Sequence, residues 1–392
     1  MKRFVYADNA ATTPVSREVL DAMLPCFEHD FGNPSSQHSM GIAAKDMLDD
    51  ARERIAAVLG CTAGEIYFTS GGTESDNWAI RGAAMRMRQK GRNHIVTSKI
   101  EHHAVLHTCE ALAKEGFDVS YVGVDKDGVI DLNELRTLVT DRTAVVAIMY
   151  ANNEIGTIEP IEEITEIAHA NGALMFTDAV QAFGNVDIDL SKLKVDMLAL
   201  SGHKIHAPKG IGLLYVRKGT VINNLIEGGG QEKRKRGGTE NMPYIVGLAK
   251  AMEIAKETMP ELKEVAKKRD RLIEALTKIP YSSLNGHRTN RLPGLVNVGF
   301  EFIEGESLLM WLDMAGICAS TGSACSSASL DPSHVLLATG VPHEKAHGSL
   351  RLSISKDTTD EDIDYIIENV APIVEKLRNM SPLWEDVVKN KA

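Results

Sequence analysis

The chain has 392 residues, of which 43% are hydrophobic and 25% are charged, and its formal net charge is −11. This composition is typical of a globular protein with a sizeable core, and the length fits two domains of roughly 100–200 residues each. An acidic chain repels phosphate backbones, which argues against nucleic acid as its main ligand.

The five cysteines are widely and irregularly spaced and include no Cys-x-x-Cys pair. Neither a disulfide framework nor a cysteine zinc site is therefore predicted, and free thiols are typical of a reducing cytosol. The N-terminal sequence MKRFVYAD has no apolar stretch behind its basic residues, which argues against a signal peptide. Because no apolar run approaches the ~20 residues of a spanning helix, we expect a cytoplasmic protein with no membrane partner.

Short apolar runs alternate with longer amphipathic stretches over the first 240 residues or so. Several runs are almost continuously hydrophobic, which is typical of parallel strands buried on both faces. The alternation predicts an α/β fold with a mainly parallel central sheet covered by helices. The predicted strands are 65–69, 94–98, 119–124, 143–149, 173–177, 195–200 and 211–216, and the predicted helices are 73–90, 103–115, 131–139 and 161–171.

The pattern changes beyond residue 240. It predicts helices at 243–258 and 261–279, separated at Pro260, then strands at 295–300 and 349–354 and helices at 305–314 and 359–378. We therefore expect a large α/β domain over residues 15–255. A smaller α+β domain would consist of residues 1–14 and 256–392.

A glycine-rich turn, Gly71-Gly72, joins a predicted strand to a helix that begins near Thr73. Glycines let a ligand approach the backbone, and a helix N-terminus offers free N–H groups and a partial positive charge. The turn can therefore bind a phosphate, with the Thr73 hydroxyl as a further donor. It is also compatible with an ordinary capped turn, and it matches neither the Rossmann pattern nor the P-loop.

Lys204 follows a hydrophobic strand, in the sequence Ser-Gly-His-Lys. Alone, it is compatible with a surface lysine whose stem lies along the protein. Asp178 ends another hydrophobic strand, about one strand–helix–strand step earlier, so both residues should lie at carboxyl ends of parallel strands, where open sheets bind ligands. A desolvated lysine suits Schiff-base chemistry, and a buried aspartate needs a cation such as the protonated ring nitrogen of pyridoxal phosphate.

Ten motifs, in order along nearly the whole chain, resemble the cysteine desulfurases of the NifS/IscS class. These are fold-type I pyridoxal-phosphate enzymes, similar to class-V aminotransferases. The resemblance implies a large domain with a mainly parallel sheet and a smaller α+β domain that carries a catalytic cysteine. The motifs are YADNAATTP (6–14), GNPSSQH (32–38), FTSGGTESDN (68–77), EHHAVLHTCE (101–110), NNEIGTIEPI (152–161), DAVQAFG (178–184), SGHKIHAPKGIG (201–212), GGGQEKRKRGGTEN (228–241), TGSACSS (321–327) and HGSLRLS (347–353).

The resemblance also implies a role for each matching residue. Lys204 would carry the pyridoxal phosphate, Cys325 would be the nucleophile, and His102 would lie on the ring face and move protons. Arg351 would bind the carboxylate of the substrate, and Asn153 would also contact the substrate. The other cofactor ligands implied are Asp178 at the ring nitrogen, Gln181 and Asn153 at the ring hydroxyl, Gly72, Thr73, Ser201 and His203 at the phosphate, and Thr239 at the phosphate of the other subunit of a homodimer.

The implied reaction removes sulfur from L-cysteine and leaves L-alanine and a persulfide on Cys325. The persulfide would pass to an acceptor protein, expected to be an iron–sulfur scaffold whose cluster Cys325 would contact. Departures from the family pattern at Ala7, Ala207 and Gly237 remove no group that the reaction needs. A selenocysteine lyase, another class-V aminotransferase-like enzyme and a sulfur-transfer scaffold without catalysis remain alternatives.

Two further clusters are weaker signals. His103 and His107 lie four residues apart on a predicted helix, but no third ligand or HExxH pattern accompanies them, so no intrinsic metal site is predicted. The basic run at 233–236 is too short to indicate a nucleic-acid site in an acidic chain. With Thr239 nearby, it is interpreted as a loop at a subunit interface. The remaining cysteines, Cys26, Cys61, Cys109 and Cys318, are interpreted as structural.

Overall fold

A computed structural model describes residues 3–322, 332–382 and 384–385. Its strands are β1 (Val5–Tyr6), β2 (Ile66–Thr69), β3 (His94–Ser98), β4 (Asp118–Val122), β5 (Thr143–Ala147), β6 (Leu174–Asp178), β7 (Met197–Ser201), β8 (Gly212–Val216), β9 (Ser282–Leu284), β10 (Leu295–Phe300), β11 (Ile317–Cys318) and β12 (Ser349–Ser353). Its helices are α1 (Arg17–Glu28), α2 (Ser39–Leu59), α3 (Gly72–Arg88), α4 (His103–Lys114), α5 (Leu132–Leu138), α6 (Ile161–Ala170), α7 (Gln231–Arg234), α8 (Met242–Glu257), α9 (Leu262–Leu276), α10 (Gly305–Ala315), α11 (His334–Ala338), α12 (His343–Ala346) and α13 (Asp360–Asn379), with 3₁₀ turns at Ala63–Glu65, Gly202–Lys204 and Met259–Glu261.

The central sheet has seven strands in the order β2-β8-β7-β6-β5-β3-β4. The pairs from β4 to β7 are all parallel, whereas β8 runs antiparallel to both β7 and β2. The prediction of an α/β fold with a mainly parallel central sheet is therefore confirmed.

Successive side chains of the inner strands pack into two different hydrophobic cores, one on each face of the central sheet. In β5, Val145 and Ala147 pack with α3 and α4, whereas Val146 packs on the opposite face with α2, α6 and α8. Strand side chains alternate between faces, so a strand covered on both sides has no polar face. This explains the continuous apolar runs in the sequence.

A separate core lies mainly over the C-terminal part of the chain. It contains the antiparallel sheet β12-β10-β9 and helices α9, α10 and α13, together with Val5 and Ala7 from the N-terminal segment. β1 pairs in parallel with β11. The division into two domains, with boundaries at 14/15 and 255/256, stays a prediction. Within the described part of the chain, no helix has the length and apolar character needed to cross a membrane.

The predicted connection between β6 and β7 is wrong. A helix was expected there, but residues 179–196 form turns and extended segments without one. β6 and β7 are nevertheless parallel neighbours, and Asp178 lies opposite Ala199. The ends of these strands therefore adjoin, as expected. The elements without a counterpart among the predicted ones are helices α1, α2, α7, α11 and α12 and strands β1, β9 and β11.

A buried ion pair holds an unusual backbone segment. Residues 232–234 have φ values of 45°, 58° and 63°, a left-handed conformation that is costly for residues with side chains. The Glu232 carboxylate accepts hydrogen bonds from both terminal nitrogens of Arg52, at 2.8 and 2.9 Å, and from the Phe68 N–H at 2.9 Å. The basic run is thus anchored to the protein at its start.

Replacing Glu232 with alanine would leave the Arg52 guanidinium buried without its partner. Removal of one member of a buried ion pair costs roughly 3–5 kcal/mol, so we expect Glu232→Ala to lower the midpoint of thermal unfolding by several degrees. Glu253→Ala is the matched control, because Glu253 pairs with Arg54 where both side chains are partly exposed and such pairs contribute about 0–1 kcal/mol. Equal shifts of the two variants in circular dichroism would contradict this assignment.

Candidate active site

A cleft of about 320 Å³ opens where the parallel strands of the central sheet end. Thr239 is exposed and is not among its described lining residues, and Cys325 lies outside the described part of the chain. The predicted site residues that line the cleft are Gly72, Thr73, His102, Asn153, Asp178, Gln181, Ser201, His203, Lys204 and Arg351.

Lys204 reaches the cleft because the chain leaves β7 in a tight 3₁₀ turn before it returns as β8. The Lys204 Nζ donates hydrogen bonds to the carbonyl oxygens of Ala10 and Ala11, at 2.5 and 2.8 Å. The Gln181 Nε2 donates to the Ala10 carbonyl as well, at 2.9 Å. The N-terminal segment therefore forms one wall of the cleft beside the lysine.

Four buried carboxyl groups line the same cleft, and three of them, Asp76, Glu101 and Asp178, act on one another through their charges. Asp178 ends β6, and burial raises its pKa to about 6, although the Val180 N–H bonded to it and the charge of Lys204 oppose that shift. Asp76, on α3, is almost completely buried, and burial together with the Asp178 charge raises its pKa well above the usual value. Burial raises the pKa of Glu101 to about 8. The cleft thus contains more carboxyl groups than its cationic side chains can balance, so these three groups cannot all be ionised.

Hydrogen bonding distinguishes the two oxygens of Glu101. Its Oε1 accepts both the Ser98 hydroxyl, at 2.5 Å, and the Met149 N–H, at 3.0 Å. Its Oε2 is buried and has no hydrogen-bond partner among the described residues. A proton on Oε2 leaves the accepting oxygen unchanged and removes the cost of a buried charge.

His102 enters the cleft as the residue that caps α4. Its Nδ1 accepts the Ala104 N–H at 3.1 Å, so the neutral ring carries its proton on Nε2. Burial, and then the charge of Lys204, lowers the pKa of His102 to about 4. The imidazole is therefore neutral near pH 7.

A histidine stack adjoins His102. The His103 ring lies 5.0 Å, centroid to centroid, from both His107 and His334. Burial lowers the pKa values of His103 and His334. Across residues 3–322, 332–382 and 384–385, no group of three or more His, Cys, Asp or Glu side chains is arranged to hold a metal ion.

The N-terminus of α3 forms the other end of the cleft. The helix begins at Gly72, and its first N–H groups have no carbonyl four residues back. A Cβ at Gly72 would lie 2.8 Å from Val180 Cγ2, so only glycine fits here. Thr73, Ser201 and His203 surround this end and also line an adjoining cavity. Such a set of donors is suited to a phosphate group.

Arg351 lies on β12, lines the same cleft and is 3% exposed. Its Nη1 donates to the Asn153 carbonyl at 3.0 Å, and its Nη2 donates to Asp8 Oδ1 at 3.1 Å. Its Nε is buried and has no hydrogen-bond partner among the described residues. This free donor is available to the carboxylate of a ligand.

Several cleft residues have no predicted role in the sequence. The motif YADNAATTP supplies a wall of the cleft, and NNEIG supplies the buried Glu154. Asp76 and Glu101 belong to motifs in the sequence, but their burial could not be predicted from those motifs. The lining residues without a predicted role include Ala10, Ala11, Asp76, Glu101, Glu154 and His334.

Comparisons with known proteins agree with this geometry. The family model described as aminotransferase class-V matches residues 5–366. A protein from Methanosarcina thermophila named cysteine desulfurase IscS is 58% identical over 380 residues, which cover 97% of this chain and 94% of the relative. A solved structure described as a NifS-like protein superposes with a TM-score of 0.90 at 42% identity, covering 96% of this chain and 100% of its own. Another, described as SspA in complex with cysteine, has a TM-score of 0.79 at 38% identity and covers 90% and 99%.

A glutamine at position 101 tests the buried proton. The pKa of about 8 in the folded state exceeds the ~4.3 of an unfolded chain, so the folded state binds more protons between these values. The free energy of unfolding should therefore fall as the pH rises from about 4 to about 8. Glu101→Gln keeps the accepting oxygen and removes this titration.

We expect the melting temperature of Glu101→Gln to rise relative to that of the native protein when the pH is raised from about 5 to about 8. Thermal melts of both proteins at these two pH values measure the effect. A difference between the proteins that is the same at both pH values would contradict a buried, protonated Glu101.

Proposed function

The chain belongs to the aminotransferase class-V family, and we propose that it is a pyridoxal-phosphate-dependent cysteine desulfurase. The observation that carries this proposal is the convergence of Lys204, Asp178 and Arg351 in one cleft beside the N-terminus of α3. Each of these groups matches a different part of the cofactor or of an amino-acid substrate. The cysteine desulfurase from Methanosarcina thermophila and the complex of SspA with cysteine support L-cysteine as the substrate.

The described residues fit pyridoxal phosphate. A buried Asp178 carboxylate requires a cation, and a protonated ring nitrogen would complete that pair. The neighbouring Asp76 carboxyl, whose pKa is raised by burial and by the charge of Asp178, has one oxygen without a hydrogen-bond partner among the described residues. The residues that would hold the cofactor are Lys204 at its carbonyl carbon, Asp178 at the ring nitrogen, Gln181 and Asn153 at the ring hydroxyl, His102 on the ring face, and Gly72, Thr73, Ser201 and His203 at the phosphate.

When bound, pyridoxal phosphate supplies an electron sink for bond changes at the substrate carbons. Lys204 Nζ would take the proton from the substrate Cα, since its amine lies at the mouth of the cleft, where the substrate amine would displace it. His102 can pass a proton through Nε2, because its other ring nitrogen is occupied by the Ala104 N–H. Its neutral ring adds no positive charge beside the cation held by Asp178.

Arg351 would orient the substrate. Its Nε is free for one carboxylate oxygen of L-cysteine, whereas Asp8 and the Asn153 carbonyl hold its terminal nitrogens in place. A guanidinium fixed in this way has lost its rotational freedom before the substrate binds. The substrate sulfur would then face the side of the cleft where the chain leads into the Cys325 segment, because Gly322 lines it.

Cys325 would act as the nucleophile. Its thiolate attacks the substrate sulfur, a sulfur–sulfur bond forms, and the bond between Cβ and sulfur in the substrate breaks. The electron pair of that bond stays with carbon, Cβ takes up a proton, and Cα recovers the proton that Lys204 removed, which yields L-alanine. The persulfide that remains on Cys325 would pass its outer sulfur to an acceptor protein, which we propose is an iron–sulfur scaffold.

We also propose that the protein is a homodimer in the cytoplasm. Phe27 at the end of α1 and Phe31 just after it are 56% and 68% exposed, and contiguous exposed apolar surface is typical of protein interfaces. Thr239 is exposed in the single chain, which leaves it available to the phosphate of the other subunit. The four described cysteines are free thiols, which supports a reducing compartment.

Lys204 is tested through its covalent bond to the cofactor. The native protein should be yellow after addition of pyridoxal phosphate, and borohydride reduction should fix the cofactor to Lys204 in a peptide identified by mass spectrometry. Lys204→Ala should give no modified peptide and no turnover. Lys192→Ala, an exposed lysine that lines neither the cleft nor the adjoining cavity, should keep both. A colourless native protein would overturn the cofactor proposal.

Cys325→Ala should separate cofactor chemistry from sulfur transfer. We expect the variant to remain yellow and to change its spectrum when L-cysteine is added, because its cleft is intact. Release of sulfide in the presence of a reductant should fall by about a thousandfold or more, as for loss of other catalytic nucleophiles. Cys318→Ala is the matched control, since Cys318 lies half-buried on β11. Equal turnover of Cys325→Ala and the native protein would remove Cys325 from the mechanism.

A further inference from the structure

The described residues on either side of the Cys325 segment meet at one buried carboxylate. A Cβ at Gly322 would lie 2.8 Å from Glu154 Oε2 and 3.5 Å from the Ser333 Cβ. The Ser333 hydroxyl donates a short hydrogen bond to the same oxygen of Glu154. The chain therefore leaves for Cys325 and returns from it at one point, and Glu154 occupies that point.

Glu154 is itself firmly held. It is 5% exposed, its N–H donates to Asn152 Oδ1 at 2.8 Å, and its carbonyl accepts the Asn297 Nδ2 at 2.9 Å. Asn152 and Asn297 are fully buried. A carboxylate on such a fixed backbone is a rigid anchor for whatever it binds.

The same turn is bonded to Arg351. The Asn153 carbonyl, next to Glu154, accepts the Arg351 Nη1 at 3.0 Å. Ser320, two residues before Gly322, exchanges both backbone hydrogen bonds with Arg351, at 2.7 and 3.2 Å. The proposed binding group for the substrate carboxylate and the start of the Cys325 segment are therefore parts of one hydrogen-bonded unit.

The described residues that follow the Cys325 segment begin with a helix cap. The Ser333 hydroxyl accepts the Leu336 N–H at 3.3 Å and so caps α11, while it donates to Glu154. In α11, His334 Nε2 donates to the Glu101 carbonyl at 3.0 Å. Loss of the Glu154 acceptor would thus release a helix start that packs against the wall of the cleft.

Chain length makes the position of Gly322 important. Cys325 is three residues further along, and three extended residues span at most ~11 Å. A shift of Gly322 displaces by the same amount the region that the Cys325 thiol can reach from this end of the segment. A misplacement of ~1 Å can cost about a hundredfold in rate when the reacting atoms must be aligned.

We propose that Glu154 is a positioning residue that joins both ends of the Cys325 segment beside Arg351, and so sets the place from which Cys325 attacks the bound substrate. The inference rests on the proposed function, because only a desulfurase needs Cys325 as a nucleophile. Burial raises the pKa of Glu154 to about 7, against the opposing effects of the Ser333 hydrogen bond and the Arg351 charge. Its Oε2 can accept the Ser333 hydroxyl when the carboxyl group is ionised, and also when the group is protonated on Oε1.

The test compares Glu154→Ala, Glu154→Gln and Ser333→Ala with the native holoenzyme. The control is Glu159→Gln, because Glu159 is another buried carboxyl that accepts one backbone N–H, from Ile130, but does not line the cleft. Four quantities are measured: cofactor content, the spectral change on addition of L-cysteine, KM and kcat for sulfide release, and hydrogen exchange in peptides covering 319–322 and 333–338.

We expect Glu154→Ala to keep cofactor content, the spectral change and KM within about twofold, whereas kcat falls at least about tenfold. Ser333→Ala should show the same split between kcat and KM to a smaller extent. Glu154→Gln should recover to within about threefold of the native kcat, because its amide oxygen can accept the Ser333 hydroxyl. Hydrogen exchange in both peptides should rise in Glu154→Ala but not in Glu159→Gln.

Three results would overturn the inference. The first is a kcat within twofold of native in both Glu154→Ala and Ser333→Ala. The second is an equal loss in Glu154→Gln and Glu154→Ala, which would assign Glu154 to proton transfer instead. The third is a loss of the L-cysteine spectral change in Glu154→Ala, which would place it in substrate binding. A native holoenzyme that releases no sulfide from L-cysteine would refute the proposed function itself, and the hydrogen-exchange comparison would still test the anchor.

Discussion

Parallel pairing of β6 with β7 is the constraint on which the cleft depends. The pairing sets Asp178, the last residue of β6, opposite Ala199, so that the end of β7 and the turn to Lys204 follow immediately beside it. Both strands are buried on both faces, which fixes their register, because a slip of one residue would exchange the two sets of core side chains. The separation of the acidic and the basic group is therefore a property of the sheet and needs no helix between the strands.

The N-terminal segment joins this sheet edge to the second core. Ala10 accepts hydrogen bonds from Lys204 and Gln181 on one side, whereas Asp8 binds Arg351 on the other. Val5 belongs to the second core. Residues 5–11 thus connect the lysine of one core with the arginine of the other, and their hydrogen bonds determine how far apart those two side chains lie.

The parts of the fold and site that could be predicted are those with a distinct residue pattern. Buried strands read as continuous apolar runs, and their ends directed attention to Lys204 and Asp178. Helix α1 was not predicted, because it leaves apolar side chains such as Leu20 and Leu24 exposed, which obscures the periodicity of a helix with one buried face. The helix expected between β6 and β7 was wrong, since length alone does not distinguish a helix from an extended crossover.

Buried carboxyl groups could not be predicted because burial is not encoded in residue type. Asp and Glu are mostly exposed in proteins, so Asp76, Glu101 and Glu154 resembled surface residues in the sequence. The N-terminus of α3 presents N–H donors at the Gly72 side of the same cleft, whereas Asp178 is a carboxyl group at the end of β6. A ligand with one anionic and one cationic group would therefore be favoured with its anion at the helix N-terminus and its cation at Asp178.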